Sequence, residues 1–508
     1  MRFTQSPVFQ DQQSRIAAGL LSLLHHESQR DTPAMTDEVW RGHWWLPGQA
    51  DNQQPGTLTV TKEGVITLEI IGGFDLRTRV PLPSGVGYTS TMEDKPVLIL
   101  YGRSKSTDIT LIGCTTTAGD ELLGGPRWFH KMDALRALIG VHLDNLNAPV
   151  FRKAYIRLEN LFTWAQLRGL EHSFTIEGST EPTARILNPD SVSVTVEEIL
   201  IEVALRSSSF RFERRRDSAS VVGDSTAVLT LTPMEPTSYQ GLDDITKAMM
   251  DLLTLASGEA SGVISRTLIL KSPRLVRRGP DDPDPLHVDV EAELVGRLVH
   301  TAHPDEAPQE AHRFLFTCAN KPFDELVSTW LPLWRKTRAV CSLLFGLKYA
   351  RPTFAETRVL SAAVACEAVH RSLYDSLAMP KKEFRDLLKA VLDVVDDEKK
   401  TWVRSRFRNE PSYKERVLDL ASRPAQDAVD FIIPDRDKWA KNLRDVRDGL
   451  AHTAGHDSAG IHKYDLAEVT TYLLYLVLMN ELGLPAETQL AAVQNNYYRA
   501  SPRQRQES

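Results

Sequence analysis

An arginine and a histidine five positions apart near the C-terminus are the residues best suited to chemistry. Arg447 is followed directly by Asp448, and His452 comes four residues later. A guanidinium is always charged and can grip a phosphate with two parallel hydrogen bonds, while an imidazole takes or gives a proton near neutral pH. Cleavage of RNA by its own 2′-hydroxyl needs one such base and one fixed cation. The trio therefore predicts a metal-independent phosphodiester site in which Asp448 orients its neighbours.

The spacing alone is not specific. Arg136 with His142 and Arg297 with His303, each six positions apart, also fit the looser pattern Arg-x4-6-His, as expected by chance in a long chain. Only Arg447 is followed by a polar residue that can support a site. The alternative is structural: a salt bridge at a helix end, with a histidine that caps it.

The pattern around the trio predicts the helix that carries it. Trp439, Leu443, Val446 and Leu450 recur at helical spacing, so one face should be buried with Arg447 beside it. The residues after His452 are small and polar and are not expected to continue the helix. The trio should therefore lie at a helix end, at the rim of a core.

Composition limits the function classes. A chain of 508 residues is long enough for two or three domains, and a net charge of -7 argues against general coating of nucleic acid. Four scattered cysteines without a CxxC pair predict neither zinc nor disulfides, and hence a reducing, cytoplasmic setting. We expect no membrane span, no signal peptide and no cofactor, because the corresponding apolar runs and the Walker A, GxSxG, HExxH and GxGxxG motifs are missing.

Periodicity predicts an α+β protein in which a β-rich, sandwich-like N-terminal domain precedes an all-α bundle. Alternation with period two begins near Gly42, with a hairpin turn at Glu63-Gly64, and returns in short runs up to Val299. A helical stretch is predicted at 128–143 and another at 242–255. The domains are an amphipathic helix, the β-rich domain, a linker, the bundle and a polar tail, at 1–30, 31–300, 301–312, 313–490 and 491–508.

Helical patterns and short connections fill the bundle. They end with Gly483 and a proline beyond it, which are typical signals of a helix C-terminus. The helices are predicted at 323–348, 354–377, 381–400, 413–422, 435–452 and 464–482.

Two further groups could serve a site. A basic segment with aromatics between its cations could bind RNA phosphates and stack bases, or it could simply be a solvated helix face. Its members are Lys399, Lys400, Arg404, Arg406, Arg408, Lys414 and Arg416. Glu367 and His370 share a helix face and are expected either to support the Arg-His pair or to be merely structural. Their ExxH spacing occurs in di-iron bundles, but no second ExxH exists and no metal is expected.

These motifs resemble a known family. The run from Arg447 to His452 is similar to the R-(N/D/H)-x-x-x-H signature of HEPN domains, which are helical bundles that often act as metal-independent ribonucleases. Residues 357–370 and 472–483 resemble the opening and closing helices of the HEPN domain in ApeA-like proteins. The runs 44–48, 56–72 and 109–114 resemble the β-rich domain that precedes HEPN in that family.

The resemblance implies an endoribonuclease of bacterial anti-phage defence with Arg447 and His452 as catalytic residues. It implies RNA as the partner, with tRNA as one candidate, and a homodimer. Because an uncontrolled ribonuclease would kill its host, we expect the β-rich domain to sense a phage-derived trigger. The alternative is a non-catalytic RNA- or protein-binding helical module in which the same residues stabilise a helix end.

Overall fold

The computed structural model describes residues 37–81, 88–121, 127–173, 183–187, 189–207, 210–214, 216–276, 286–296, 308–349, 354–374, 377–452 and 462–500. The amphipathic helix predicted within 1–30 and most of the predicted linker lie outside these ranges. Contacts divide the chain into two compact units, Met1–Ala137 and Leu138–Ser508.

The first unit contains a closed β-barrel. Its strands are β1 (Glu38–Trp45), β2 (Gln54–Val60), β3 (Ile66–Ile71), β4 (Arg77–Pro81), β5 (Tyr88–Asp94), β6 (Val97–Ser104), β7 (Thr107–Glu121) and β8 (Arg127–Ile139). The order β8-β3-β2-β1-β6-β7, with β7 pairing back to β8, closes the ring, and β4 pairs with β5. Closure leaves the barrel strands without a free edge. The sequence predicted a sandwich-like arrangement, and the first unit is instead a closed barrel.

Alternation along the strands fills this barrel. In the β2–β3 hairpin Leu58 lies opposite Leu68, and both side chains are buried. The turn predicted at Glu63-Gly64 is confirmed, and Gly64 adopts φ 74°, which a glycine tolerates without strain. The Trp44 ring packs against Gly102 so closely that a Cβ there would lie 2.1 Å from it.

The helix predicted at 128–143 is wrong, because this stretch forms strand β8. Its Leu, Ala and Arg residues favour a helix, but Ile66 to Ile71 of β3 pair with it residue by residue. Its buried His130 and Met132 pack inside the barrel unit. Pairing and burial therefore override the local preference.

The second unit begins with an antiparallel sheet in the order β12-β13-β16-β9-β17-β20, and the remaining strands form two-stranded hairpins. The strands are β9 (Phe151–Leu158), β10 (Leu170–Ser173), β11 (Thr183–Ile186), β12 (Val192–Val196), β13 (Ile199–Ser207), β14 (Arg211–Arg214), β15 (Ala219–Val222), β16 (Ser225–Pro233), β17 (Val263–Leu270), β18 (Arg274–Val276), β19 (Leu286–Val288) and β20 (Glu291–Gly296).

Helices complete the second unit. They are α1 (Leu161–Ala165), α2 (Tyr239–Ser257), α3 (Phe323–Lys336), α4 (Arg338–Tyr349), α5 (Ala355–Leu373), α6 (Lys381–Asp393), α7 (Asp397–Arg406), α8 (Tyr413–Ala421), α9 (Gln426–Ile432), α10 (Arg436–His452), α11 (Lys463–Glu481) and α12 (Ala486–Ala500). The helices predicted at 323–348 and 381–400 are each two helices. The α+β class, with a β-rich part before the helices, is confirmed.

Helix α11 is the centre of the bundle. Its residues from Leu473 to Met479 are all buried, so it is enclosed on every side rather than amphipathic. It packs against α5, whose buried Ala362, Ala363 and Ala365 leave room for a close approach. Together α5 and α11 fix the frame on which α8 and α10 lie.

Helices α3 and α4 pack on α2 through buried polar contacts. Trp330 donates to the carbonyl of Ala248 at 2.7 Å, and Trp334 donates to the Asp251 carboxylate at 2.7 Å. The same carboxylate accepts a hydrogen bond from the Tyr349 hydroxyl at 2.7 Å. The helices that follow the sheet are thus tied to α2 by an acid buried among neutral donors.

The polar tail expected from residue 491 begins too early. Helix α12 continues to Ala500, and Ala492 and Val493 on its inner side are buried. Gln489 on the same helix is also buried, and its side chain hydrogen-bonds the backbone of Ala425 and Leu484. Residues 501–508 lie outside the described ranges. Within those ranges, no helix combines the length and the apolar composition needed to cross a bilayer.

Candidate active site

Helix α10 positions the predicted trio by burying one face. Trp439, Leu443 and Val446 are buried at the predicted spacing, whereas Leu450, the fourth predicted member of this face, is only half-buried. The Trp439 indole donates to Thr470 of α11 at 3.2 Å. Asp435 begins the helix by accepting a hydrogen bond from the Lys438 backbone at 2.9 Å. The register of α10 is therefore set by the core.

Arg447 lies at the rim of that core, with its side chain 30% exposed. One terminal nitrogen donates to Glu367 of α5 at 2.9 Å, and the other donates to the neighbouring Asp448 at 3.1 Å. The guanidinium also lies over the Tyr413 ring of α8, 4.6 Å from its centre. Three helices thus hold one partly exposed cation.

His452 is the last residue of α10. Its side chain, and with it any distance to Arg447, lies outside the part of the chain that the structure describes. The backbone nevertheless places both residues on the final turns of one helix. The catalytic roles of Arg447, Asp448 and His452 remain predictions.

Glu367 lies beside Arg447, and its supporting role in catalysis stays a prediction. Its second carboxylate oxygen accepts hydrogen bonds from Arg371, one turn further along α5, at 3.3 and 3.2 Å. Arg371 in turn pairs with Glu410 at 2.9 Å. The carboxylate of Glu367 is therefore shared between two arginines rather than bound to Arg447 alone.

His370 lies deeper and does not contact Arg447. It is buried between Arg416, whose terminal nitrogen lies 3.1 Å from Nδ1, and Asp419, whose carboxylate lies 3.0 Å from Nε2. A guanidinium can only donate, so Nδ1 accepts and Nε2 carries the proton that it donates to Asp419. Burial lowers the pKa of His370, opposed by Asp419 and assisted by Arg416, so the ring stays neutral.

The predicted basic segment does not form one surface. Lys399 pairs with Asp396 at 2.9 Å, Lys400 with Asp397 at 2.6 Å, and Lys414 with Asp437 at 2.7 Å. These acids lie outside the segment. The segment therefore has fewer unpaired positive charges available to RNA than its own sequence predicted.

Arg416 is buried, at 4% exposure, and donates to His370, Glu410 and the carbonyl of Pro411. It therefore belongs to the interior network, and its guanidinium is not accessible to RNA. Arg404, Arg406 and Arg408 are exposed, and Arg406 lies 6.0 Å from the ring of Trp402, which is 63% exposed. Only this part of the segment keeps the mixture of cations and open aromatics that was predicted.

The sequence missed the residues that join these groups. Tyr413 is one of the aromatics between the cations of the basic segment, but nothing in its position along the chain indicates that it lies under Arg447. Arg371 and Arg423 could have been found, because each lies four residues after its acid, Glu367 or Asp419, on one helix. Glu410 is an acid within the basic segment, but its position in the loop before α8 did not indicate that it pairs with both Arg371 and Arg416.

The cysteines are not candidates for nucleophiles. All four are free, and burial raises the pKa of Cys114, Cys318 and Cys341 to about 12. Burial also raises the pKa of Cys366 on α5. These thiols therefore stay protonated at neutral pH. Across the described ranges, no three His, Cys, Asp or Glu side chains are grouped so that they could hold a metal ion.

Two family models match the chain. The model described as ApeA N-terminal domain 1 matches residues 39–330, which is more than half of the chain. The model described as Apea-like HEPN matches residues 360–488, which include the trio and Glu367. No curated protein and no solved structure matches the chain.

Proposed function

Because this chain belongs to the ApeA family and carries an Apea-like HEPN domain, we propose that it is a metal-independent endoribonuclease of bacterial anti-phage defence. One observation carries the proposal: Arg447 of the HEPN signature is held at the rim of the bundle with its guanidinium partly exposed. A cation buried for stability alone would not need to face solvent beside a helix end that carries a histidine.

In the proposed reaction His452 removes the proton from a ribose 2′-hydroxyl. The 2′-oxygen then forms a bond to the adjacent phosphorus, and the bond from phosphorus to the 5′-oxygen breaks. The leaving 5′-oxygen takes up a proton from water, and the His452 imidazolium returns its proton to water, so the products carry a 2′,3′-cyclic phosphate and a 5′-hydroxyl. Arg447 stabilises the charge that builds on the non-bridging oxygens.

Asp448 is proposed to orient Arg447 for this role. Its carboxylate accepts a hydrogen bond from one edge of the Arg447 guanidinium and so fixes that edge from the same helix. Glu367 holds the other edge from α5. An incoming phosphate competes with both carboxylates for the same N–H groups. In the resting site Arg447 is therefore already oriented, and its charge is balanced by these two carboxylates.

RNA is the proposed partner, with tRNA as one candidate, and its outer contact is proposed on α7. Arg404, Arg406 and Arg408 are exposed there. The nearby aromatic side chains Trp402 and Phe407 are 63% and 41% exposed. Cations attract the phosphate backbone, and open rings offer faces for unpaired bases. The paired Lys399, Lys400 and Lys414 contribute less.

The remaining finer proposals concern control and assembly. HEPN ribonucleases commonly pair two bundles, and we propose a homodimer whose two Arg-His sets share a cleft. Residues 31–300 are proposed to control the bundle by holding most copies inactive until a phage-derived trigger binds, so that overexpressed or concentrated protein still cuts RNA at a basal rate. Such a trigger must bind the active state more tightly, since equal affinity for both states shifts nothing.

The rival proposal is a binding module that holds RNA or protein without cutting. Expression of the wild-type chain and of His452→Ala in cells separates the two. We expect growth arrest and fragmented RNA with the wild type, and a loss of cleavage of roughly two to four orders of magnitude with the variant, as is usual for a positioned acid or base. A folded His452→Ala chain that cuts RNA at the wild-type rate would contradict the proposal.

A further inference from the structure

The ring beneath Arg447 is fixed at both ends. Tyr413 is the first residue of α8, where Ser412 and Glu415 form a reciprocal cap with hydrogen bonds of 2.7 and 3.3 Å. At the far end, the Tyr413 hydroxyl donates to the carbonyl of Ala363 in α5 at 3.0 Å. The ring therefore spans from α8 to α5, and the guanidinium of Arg447 lies on its face.

Edge contacts and face contacts differ in what a substrate can replace. Glu367 and Asp448 bind the N–H edges of Arg447, which are the same groups that a phosphate must bind. The ring of Tyr413 lies 4.6 Å from the central carbon of the guanidinium and offers it a π-face, not an acceptor atom that a phosphate would have to displace. When a phosphate displaces the carboxylates, the contact with Tyr413 is the one that persists.

The hydroxyl of Tyr413 has no acid-base role in this arrangement. Burial raises the pKa of Tyr413, and the charge of Arg447 only partly opposes that shift. The phenol therefore stays protonated at neutral pH, and its proton is already donated to Ala363. What the residue offers to Arg447 is a rigid, electron-rich surface.

We propose that Tyr413 is a positioning residue, which holds the guanidinium of Arg447 in place while its N–H edges pass from Glu367 and Asp448 to the scissile phosphate. This inference rests on the proposed function, because it assigns the ring to the cation that stabilises the reacting phosphate. It adds a third helix, α8, to the site, and it makes the exchange of carboxylate for phosphate possible without loss of geometry.

The test compares purified full-length variants on one RNA. Tyr413→Phe keeps the ring, Tyr413→Leu removes it, and Tyr464→Leu removes a ring that lies 5.0 Å from Arg358 and makes no contact with the site described above. We expect Tyr413→Leu to lower kcat about 5- to 30-fold with a smaller change in KM, which is the strength of a partly buried cation–π contact. Tyr413→Phe should stay within about twofold of the wild type, and Tyr464→Leu should match it.

Three outcomes overturn the proposal: wild-type kcat in Tyr413→Leu, an equal loss in Tyr413→Phe, or an equal loss in Tyr464→Leu. If Tyr413→Leu lowers the thermal midpoint so far that it does not fold, Tyr413→Met, which fills irregular space without a ring, replaces it in the same comparison. Failure of the proposed function is recognised separately, because wild type and His452→Ala would then leave the RNA equally intact. A wild type that cuts through His452 but does not depend on the ring removes only the role of Tyr413.

Discussion

Two clusters in the second unit stabilise a carboxylate in opposite ways. Asp251 is 2% exposed and accepts hydrogen bonds from two neutral donors, Trp334 and Tyr349, both at 2.7 Å. Glu367 is a quarter exposed and binds two cations, Arg447 and Arg371. One acid is enclosed by uncharged partners, and the other lies at a rim among charged ones.

This difference indicates that the Asp251 cluster is structural, whereas the Glu367 cluster can open to bind a phosphate. Burial raises the pKa of Asp251, against the opposing effect of its two hydrogen bonds, and removal of the acid would leave those donors without a partner. Ion pairs at a rim contribute little to stability, because water competes with them. They can therefore open for a phosphate at small cost, whereas the Asp251 cluster cannot.

The largest effect on stability should come from Asp251→Ala. We expect the free energy of unfolding to fall by about 2–5 kcal/mol, since an indole N–H and a phenol O–H lose their acceptor inside the protein. Denaturant titration measures it, with Asp448→Ala as the control at the rim, where the fall should stay within about 1 kcal/mol. Equal losses in the two variants would erase the contrast between the clusters.

His370 is the intermediate case, buried like Asp251 but placed between charges. Its pKa is lowered in the folded chain, so the unfolded chain takes up the proton more readily. Its contribution to stability is therefore complete above the ordinary histidine pKa and is lost as the pH falls below it, by at most about 1.4 kcal/mol per pH unit. His370→Gln, whose amide can also accept and donate, should be less sensitive to acid. Parallel pH profiles of the thermal midpoint would contradict this.

The smallest effect is expected from Glu367→Gln. Stability should change by no more than about 1 kcal/mol, because the pair with Arg447 is partly exposed. RNA should bind a few-fold more tightly, on the order of fivefold at low salt, because one negative charge beside the phosphate is removed. Anisotropy with labelled RNA measures this in the His452→Ala background, which keeps the RNA intact. Weaker binding would show that Glu367 orients Arg447 rather than competes with RNA.

The sequence predicted the features that depend on local pattern. Alternation around Glu63-Gly64 predicted the hairpin between β2 and β3, and the spacing of Trp439, Leu443 and Val446 predicted the buried face of α10. Both follow from periodicity along a single element. The order of β-rich and helical parts followed in the same way.

What the sequence could not provide depends on partners far along the chain. The local sequence of β8 favours a helix, but pairing with Ile66 to Ile71 makes it a strand. The local sequence predicts that Arg416 is a surface cation, but in the fold it is buried and donates to Glu410 and His370. Tyr413 reaches Arg447 only because α8 and α10 both pack on α5. Such contacts are decided by tertiary packing, which no short window of sequence contains.

The central claim, that Arg447 and His452 cut RNA through its own 2′-hydroxyl, is tested most directly by the ends of the products. Purified full-length protein should cleave RNA in the presence of EDTA and leave 2′,3′-cyclic phosphate and 5′-hydroxyl ends, because no metal takes part in the proposed step. Arg447→Ala and His452→Ala should abolish those ends. Products with 5′-phosphate ends, or cleavage that EDTA removes, would contradict the account.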